Sequence, residues 1–199
     1  MKQFRPIIGQ ILVSGSLGCL VYPATVTIHS EHPFLEPESE RDPARRLRGR
    51  IGGTVTLWTA GSGDARRGLT VSSVLVATGR PARVLGLLDR DSDLALALED
   101  TGTAILGLLQ WRHRDLADAF AGVAPAPGGV FRLGSWTQTP WGPLLDGVSA
   151  WAGIRVGGPG REVGWSLLVD GAVEHVEILD VPDEDPPLVH RRGRYVRQG

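Results

Sequence analysis

The stretch Val148-Ser149-Ala150-Trp151-Ala152-Gly153-Ile154-Arg155-Val156 decides the fold class. Its even-numbered positions carry only apolar residues, while its odd-numbered positions are mixed in character. Because successive side chains of a strand point to opposite faces, this alternation with a period of two predicts a β-strand. The pattern remains of the β type from Phe131 onward.

Segments on both sides of this stretch have the same character. The other predicted strands cover 54–59, 69–78, 83–88, 104–109, 163–169 and 172–179, and Asp170-Gly171 reads as a tight hairpin turn between the last two. The chain also has 27 glycines and 14 prolines, which indicate many turns. Many short strands at hairpin spacing predict a mainly β fold that forms a closed or nearly closed barrel.

A few short helices are predicted beside the strands. Asp42 can cap a basic helix that starts at Pro43, continues to about Arg50 and ends at Gly52-Gly53. Asp91 or Ser92 can cap a second helix, whose apolar face contains Leu94, Ala95 and Leu98 and whose end is marked by Gly102. A third helix is predicted over 115–121.

Length and composition exclude several classes of protein. The 199 residues are enough for one domain with a sizeable core and few for two. The formal net charge of −1 predicts no general attraction to nucleic acid or to a membrane surface. Cys19 is the only cysteine, which excludes an internal disulfide and a cysteine-rich zinc site. This usage fits a reducing compartment, and we expect a cytoplasmic protein.

The first 40 residues are expected to be an extension and linker that precede a domain of 41–199. Lys2 and Arg5 come before the uncharged segment 6–28, which has the layout of a signal peptide. Ser16-Leu17-Gly18-Cys19 loosely resembles a lipoprotein cleavage site, so export or lipid anchoring through Cys19 is the alternative to a cytoplasmic location. A misplaced translation start or an added N-terminal arm is the simpler explanation.

The segment richest in candidate chemistry is Gly68-Leu69-Thr70-Val71-Ser72-Ser73. On a strand edge, Thr70 and Ser72 would point the same way, with Ser73 and the backbone amides beside them. Such a cluster can bind the polar rim of a planar heterocycle, or a phosphate. The alternative is an ordinary strand that is rich in hydroxyls.

Two further segments carry groups that suit a nucleotide. Asp89-Arg90-Asp91-Ser92 lies between a strand and a helix, where the unpaired amides of a helix N-terminus attract phosphate; the alternative is a plain capped helix. His190-Arg191-Arg192-Gly193-Arg194-Tyr195 combines three arginines with an aromatic ring. The alternative is a solvated basic tail that pairs with Asp183, Glu184 and Asp185.

Several other chemistries lack their sequence motifs. The chain has no glycine-lysine phosphate loop, its five histidines form no helical metal motif, and Ser72 does not lie in a Gly-x-Ser-x-Gly turn. Metal-dependent hydrolysis and serine hydrolysis are therefore not expected.

Five motifs, taken in order, resemble the flavin reductase-like FMN-binding split barrels. They are Gly68-Leu69-Thr70-Val71-Ser72-Ser73, Asp89-Arg90-x-Ser92, Leu116-Ala117-x-x-Phe120-Ala121-Gly122, Gly142-Pro143-Leu144-Leu145-x-Gly147 with Trp151, and Pro187-Leu188-x-His190-x-Arg192-Gly193-Arg194-Tyr195. The lead-in segment 41–49, together with His32-Pro33-Phe34, resembles an actinobacterial branch of NAD(P)H:flavin oxidoreductases. The resemblance implies a split β-barrel with a few short helices.

The resemblance also implies which residues bind the cofactors. Thr70, Val71, Ser72 and Ser73 would contact the ring edge and ribityl chain of FMN or FAD, and Phe120, Ala121 and Gly122 would line the flavin. Arg90 and Ser92, with Asp89 nearby, would bind the flavin phosphate. His190, Arg194 and Tyr195 would lie at the nicotinamide site, and His190 is the candidate catalytic residue.

The function implied by the resemblance is NAD(P)H-dependent flavin reduction. Hydride would pass from the nicotinamide to the flavin, so no strong general base is required. A homodimer is expected, and reduced flavin would be supplied to a partner monooxygenase. Two rivals stay open, namely a flavin- or haem-binding carrier without turnover of its own and a deazaflavin-dependent reductase on the same barrel.

Overall fold

The computed structural model describes residues 42–179 and 185–197. In this part of the chain there are three α-helices, which are α1 Pro43–Ile51, α2 Asp93–Thr101 and α3 Arg114–Phe120. The strands are β1 Gly53–Thr54, β2 Thr56–Ala60, β3 Arg67–Val71, β4 Val74–Ala77, β5 Arg83–Asp89, β6 Thr103–Leu108, β7 Trp136–Thr139, β8 Gly142–Leu145, β9 Ala150–Val156, β10 Arg161–Val163, β11 Ser166–Ile178, β12 Leu188–Arg191 and β13 Arg194–Arg197. The predicted mainly β fold with a few short helices is confirmed.

The main sheet curls because its two edge strands are neighbours in the chain. Its strand order is β3-β2-β6-β9-β11-β5-β4, with β10 added on β11, and all of its pairs are antiparallel. Only Ser72 and Ser73 separate β3 from β4. Since the three Cα steps of this link span at most about 11 Å, the first and last strands of the sheet must lie beside each other. The sheet is therefore a split barrel, as predicted.

Two smaller sheets flank the barrel. The strands β1, β12 and β13 form a three-stranded antiparallel sheet, in which His190 lies opposite Gly53 on one side and Tyr195 on the other. The second is the hairpin of β7 and β8. The Thr59 hydroxyl donates to the Pro143 carbonyl oxygen at 2.5 Å, which joins this hairpin to the barrel.

The barrel interior is filled around Trp58, which is fully buried. Its indole Nε1 donates to the Thr56 hydroxyl at 3.1 Å, and that hydroxyl donates to the Val71 carbonyl oxygen at 2.7 Å. A Cβ at Gly86 would lie 2.7 Å from the indole ring, so only glycine allows β5 to approach this closely. A second cluster of buried side chains, which includes Leu57, lies between the barrel and α3.

The helix predictions made from local sequence are confirmed. The Asp42 carboxylate accepts from the Ala44 N–H at 3.4 Å and α1 begins at Pro43. Ser92 caps α2, and Gly102 ends it in the left-handed conformation at φ 64°. The predicted apolar face of α2, Leu94, Ala95 and Leu98, is buried.

The prediction of a single strand over 69–78 is wrong. The chain breaks at Ser72 and Ser73, with β3 pairing with β2 and β4 pairing with β5. The two parts cannot form one strand because they belong to opposite edges of the curled sheet.

The hairpin predicted at Asp170-Gly171 is also wrong, because β11 runs through it without a turn. The first part of β11 pairs with β5 and its last part pairs with β9. Asp170 forms an ion pair with Arg83 at 2.7 Å, and a Cβ at Gly171 would lie 3.0 Å from Ile154 Cδ1. The Asp-Gly pair thus reflects contacts across the sheet rather than a reversal of the chain.

Trp151 of the fourth motif belongs to an aromatic cluster on the outside of β9. The Trp151 ring, only 8% exposed, lies with its centroid 4.5 Å from that of His175, and Trp141 stacks on the same histidine at 5.4 Å. The indole of Trp141 covers Gly153, where a Cβ would clash with it. The segment before β8 therefore closes this face of the sheet.

Candidate active site

The break between the two edge strands exposes polar groups at the place where the barrel closes. Ser72 and Ser73 are half-buried, and the Ser73 carbonyl oxygen accepts from the Leu87 N–H at 3.0 Å. This bond holds the break against β5. The side chain of Val71, only 3% exposed, packs instead in the barrel core, so any ligand contact at this residue would be through its backbone.

Helix α3 is held against β3 by two contacts. The Thr70 hydroxyl donates to the Ala117 carbonyl oxygen at 2.7 Å. The ring of Phe120 lies directly over Gly68, where a Cβ would be only 2.6 Å from the ring. The first and third motifs of the sequence therefore meet in the structure.

The C-terminal hairpin reaches the same helix. The His190 and Tyr195 rings meet edge to face with centroids 5.7 Å apart, and the Tyr195 hydroxyl hydrogen-bonds Asp118 of α3. Burial, then this hydrogen bond and the charge of Asp118, raise the pKa of Tyr195 above its ordinary value. The phenol is therefore neutral at physiological pH.

His190 is also neutral for the most part at pH 7. Burial lowers the pKa of the ring below its ordinary value of 6.5, the positive charge of Arg48 lowers it further, and Asp118 opposes both effects. A neutral imidazole has one donor and one acceptor nitrogen, so it can orient a polar ligand without adding charge.

Gly53 joins the C-terminal hairpin to the serine break. It pairs with His190 in the small sheet, and a Cβ on it would clash with the Ser72 carbonyl oxygen. Because a side chain at this position would force the two apart, the glycine brings His190 and Ser72 into one neighbourhood.

The strand-to-helix turn Asp89–Ser92 lies at an adjoining edge and uses its own polar groups internally. The Ser92 hydroxyl donates to the carbonyl oxygen that ends β5 at 2.6 Å and caps α2. Arg90 forms an ion pair with Glu162 at 3.3 Å and lies 3.7 Å from Asp91. These pairs are largely exposed and contribute little to stability, so a phosphate could replace them at small cost.

One backbone contact places this turn close to the serine break. Leu87, whose N–H binds Ser73, lies two residues before Asp89. The predicted phosphate region and the predicted ring region are therefore neighbours.

The structure gathers some of the predicted site residues and leaves others at the margin. Those gathered around β3, α3 and the C-terminal hairpin are Thr70, Ser72, Ser73, Phe120, His190 and Tyr195. Ala121, Gly122 and Arg194 are exposed. The alternative was a basic tail that pairs with Asp183, Glu184 and Asp185. Asp185 pairs instead with Arg112 at 3.0 Å, and Asp183 and Glu184 lie outside the described residues.

Three residues of this neighbourhood were missed by the sequence analysis. Asp118 occupies an unspecified position of the third motif. Gly53 was interpreted as the end of a helix, and Arg48 was interpreted as part of a basic helix. Their roles depend on contacts with distant segments, and nothing in the local sequence distinguishes them. The one indication in the sequence was the second glycine of Gly52-Gly53. One glycine is enough to end a helix, so the second glycine has to serve another purpose.

The donor groups present fit the polar edge of a flavin, whose ring nitrogens and carbonyl oxygens accept hydrogen bonds. Within the described residues, the Ser72 and Ser73 hydroxyls have no hydrogen-bond partner, and their N–H groups donate to no backbone carbonyl. The indole N–H of Trp136, whose ring centroid lies 5.6 Å from that of Phe120, is buried without an acceptor in the same part of the chain. The buried indole donor costs free energy until a ligand or water satisfies it, whereas the half-buried serine hydroxyls are free to donate to a ligand.

Comparison with known proteins identifies the family. The family model described as a flavin reductase like domain matches residues 48–199. The chain belongs to this family. The resemblance noted from the five motifs is thereby confirmed.

Relatives of this flavin reductase-like chain include named reductases. The FMN reductase (NADH) RutF of Ancylobacter novellus is 31% identical over 113 residues, which make up 56% of this chain and 62% of that protein. The chain thus matches less than two thirds of that relative's length. The 4-hydroxyphenylacetate 3-monooxygenase reductase component of Pseudomonas aeruginosa is 24% identical over 151 residues, 75% of this chain and 87% of that protein.

Solved structures of similar fold include the NADH:FAD oxidoreductase SgcE6 of Streptomyces globisporus C-1027. It matches with a TM-score of 0.69 and 23% identity, covering 83% of this chain and 96% of that one. At this level of identity the likeness establishes the fold of the flavin reductase-like domain and nothing finer.

The described residues contain neither a membrane-spanning helix nor a cluster of metal-ligating side chains. No helix within 42–179 and 185–197 has the length and apolar character needed to cross a membrane. Over the same ranges, no three side chains of His, Cys, Asp or Glu lie close enough together to share a metal ion.

Proposed function

We propose that this protein is an NAD(P)H-dependent flavin reductase that uses FMN or FAD. The observation that carries the proposal is the unpaired donor set of Ser72 and Ser73 next to His190, in a chain that belongs to the flavin reductase-like family. The names of its relatives, which include an FMN reductase (NADH), agree with this activity.

The flavin ring and ribityl chain are assigned to the serine break. The hydroxyls of Ser72 and Ser73 would donate to the ring edge, Val71 would contribute backbone groups, and Thr70 would fix α3 in place. Phe120, Ala121 and Gly122 would line the flavin from the end of that helix. Arg90 and Ser92, beside Asp89, would bind the phosphate by exchanging their present exposed partners.

The nicotinamide is assigned to the C-terminal hairpin. When bound, the flavin supplies a two-electron acceptor, so that a hydride from the reduced nicotinamide and a proton from water complete its reduction. His190 and Tyr195 would orient the nicotinamide as neutral groups, and Arg194 would balance its phosphates. Because no side chain has to carry a proton in this scheme, a positioning role for His190 is sufficient.

The assembly, partner and location remain part of the proposal. A homodimer is supported by exposed apolar residues on the main sheet, namely Leu75, Val76 and Ile178, which are 70%, 65% and 81% exposed. A partner monooxygenase is supported by the name of the Pseudomonas relative. The single cysteine supports a cytoplasmic location. Light scattering of the purified chain would measure the mass of the assembly.

The activity is tested by following the near-ultraviolet absorbance of NADH and NADPH with purified protein and added FMN or FAD. We expect flavin-dependent oxidation that weakens in S72A, S73A and H190A. Ser62 is exposed in the turn at the other end of β3, so S62A serves as a matched control that keeps full activity. Flavin binding without oxidation of either nucleotide would contradict the reductase and favour a carrier, and oxidation only with a deazaflavin would favour the other rival.

A further inference from the structure

One tryptophan lies almost entirely in solvent. Trp165 is 94% exposed, whereas the other five tryptophans of the chain are buried or half-buried. The indole is a large side chain that usually places most of its apolar surface in the core, so an isolated ring in solvent is uncommon. At this exposure the ring adds almost nothing to core packing, and the proposed function so far gives it no role.

The ring stands at the tip of the hairpin formed by β10 and β11. Val163 pairs with Ser166, so Gly164 and Trp165 are the two residues of the loop, and they are called the hairpin tip below. Gly164 has φ 58° and Trp165 does not have a positive φ, which is the pattern of a type II′ turn. This turn favours glycine at its first position and does not require an aromatic ring at its second. The local backbone therefore does not explain the tryptophan.

The hairpin tip lies beside the turn to which the flavin phosphate has been assigned. Ser166, which follows Trp165, pairs with Asp89 at the end of β5. Because paired Cα atoms lie about 5 Å apart and the next Cα is about 3.8 Å further, the Cα atoms of Trp165 and Asp89 lie within about 9 Å of each other. Arg90 also connects the turn to the hairpin, since its guanidinium lies 3.3 Å from the Glu162 carboxylate.

Alternation places Trp165 and this arginine on one side of the hairpin. Glu162 pairs with Leu167, so their side chains lie on the same face of β10 and β11. Trp165 is two positions before Leu167 and belongs by spacing to that face. Arg90 meets Glu162 on the same face. The indole and the guanidinium are therefore not separated by the sheet.

The position suits the half of FAD that FMN lacks. FAD consists of FMN joined through its phosphate to AMP, so a flavin phosphate at 89–92 places the start of the AMP half beside the hairpin tip. Arg90, Asp91 and Glu162 are exposed, so the ring lies among charges rather than in an apolar patch. A single aromatic ring in this setting suits adenine, which stacks on an indole while its phosphates pair with an arginine.

We propose that Trp165 stacks on the adenine of FAD, so that the enzyme binds FAD more tightly than FMN. This inference rests on the proposed function, which assigns the flavin phosphate to Arg90 and Ser92, and it narrows the choice between the two flavins to FAD. Two relatives have FMN in their names, so the preference would belong to this chain through its own hairpin tip.

The test is calorimetry of the full chain with FAD and with FMN, which differ only in the AMP half. Replacing an aromatic side chain that stacks on a base commonly weakens binding by about fivefold or more. We therefore expect FAD to bind at least about fivefold more tightly than FMN. Equal affinities, or tighter binding of FMN, would overturn the proposal.

Variants of Trp165 connect the selectivity to the ring. W165A should lower the affinity for FAD at least about fivefold and change that for FMN by less than about twofold. Its Tm should stay close to that of the parent, because the ring is exposed. W165F retains an aromatic face and should keep most of the preference. Leu96 is an exposed apolar residue of α2, and L96A is the matched control that should change neither affinity.

Two results with W165A would overturn the proposal. An equal loss of affinity for FMN and FAD would show that the ring supports the part that the two flavins share. A fall in the mass of the assembly, measured by light scattering, would show that Trp165 belongs to an interface between subunits.

The two proposals fail in different ways. Selective binding of FAD that is lost in W165A, without oxidation of NADH or NADPH, would retain the adenine contact and contradict the reductase. Flavin-dependent oxidation by a chain with equal affinity for FMN and FAD would retain the reductase and remove the adenine contact.

Discussion

The Thr70 hydroxyl donates a hydrogen bond to the Ala117 carbonyl oxygen at 2.7 Å, across 47 residues of chain. This bond joins the strand that leads into the serine break to the helix that carries Phe120 and Asp118. One hydroxyl of the first motif is therefore used to position the third motif, and two remain for a ligand.

Replacing Thr70 by valine should weaken the attachment of α3 to β3, because valine has the same shape as threonine but no hydrogen-bond donor. The Ala117 carbonyl would lose its partner, and we expect a loss of about 1–2 kcal/mol in the free energy of unfolding and weaker flavin binding. Urea unfolding and fluorescence titration with FMN measure the two effects. T70S keeps the hydroxyl and should stay close to the parent in both. If T70V and T70S behaved alike, the bond would not position the helix.

The absence of a side chain at Gly68 sets the position of the Phe120 ring. In G68A the new Cβ would lie 2.6 Å from that ring, so we expect a destabilisation of about 1–3 kcal/mol from overpacking. G79A is the matched control, because a Cβ there meets only the Pro81 carbonyl oxygen at 3.4 Å. The double variant G68A/F120L should recover part of the lost stability, as measured by urea unfolding. No recovery would mean that the strain lies elsewhere than in this contact.

Arg48 and Asp118 act on His190 with opposite signs. Removing the positive charge in R48Q should raise the pKa of His190, and removing the negative charge in D118N should lower it. NMR titration of the imidazole, assigned by its absence in H190A, measures both shifts. Both pKa shifts should become smaller at high salt, since the charges of Arg48 and Asp118 are partly exposed to solvent. Shifts of the same sign in the two variants would contradict the arrangement of charges described above.

His113 should make the fold sensitive to acid. Its Nδ1 accepts the Gln110 N–H at 3.1 Å, and burial followed by the charge of Arg112 lowers the pKa of His113 to about 4, against a weaker opposing effect of Asp185. In the unfolded chain the pKa is about 6.5. Between these values the unfolded state binds a proton that the folded state does not, so stability is complete above about pH 6.5 and falls as the pH drops toward 4.

The variant H113N isolates this effect, because its amide oxygen can accept the same N–H and does not titrate. We expect it to lose less stability than the parent between about pH 7.5 and about pH 4.5 in urea unfolding. Carboxylates titrate equally in both proteins, so the difference between the two curves reports His113. Parallel curves would show that the ring is protonated in the fold without cost.

Features that depend on neighbouring residues were predictable from the sequence. Ser92 and Gly102 bound α2 through contacts within one turn, and the apolar face of that helix follows from its spacing. The strand β9 follows in the same way from the alternation around Ile154. The five motifs indicated the split barrel through resemblance, and the site residues they named remain predictions.

Features that depend on distant partners were not predictable. Asp170-Gly171 has the composition of a turn, but Arg83 and Ile154 supply contacts that keep it extended, and both lie far away in the sequence. The break at Ser72 arises because the strands before and after it bind opposite edges of the sheet, which no local pattern encodes. The bond from Tyr195 to Asp118 likewise joins two segments whose proximity is known only from the fold.

The meeting of the two edge strands at Ser72 and Ser73 has a consequence for the lifetime of the protein. A ligand bound there would hold the first and last strands of the sheet together as a cross-link does, and its binding free energy would add to that of barrel closure. On the proposed function, the chain loaded with flavin should resist proteases longer than the empty chain. The amount of folded protein would then rise with the supply of flavin.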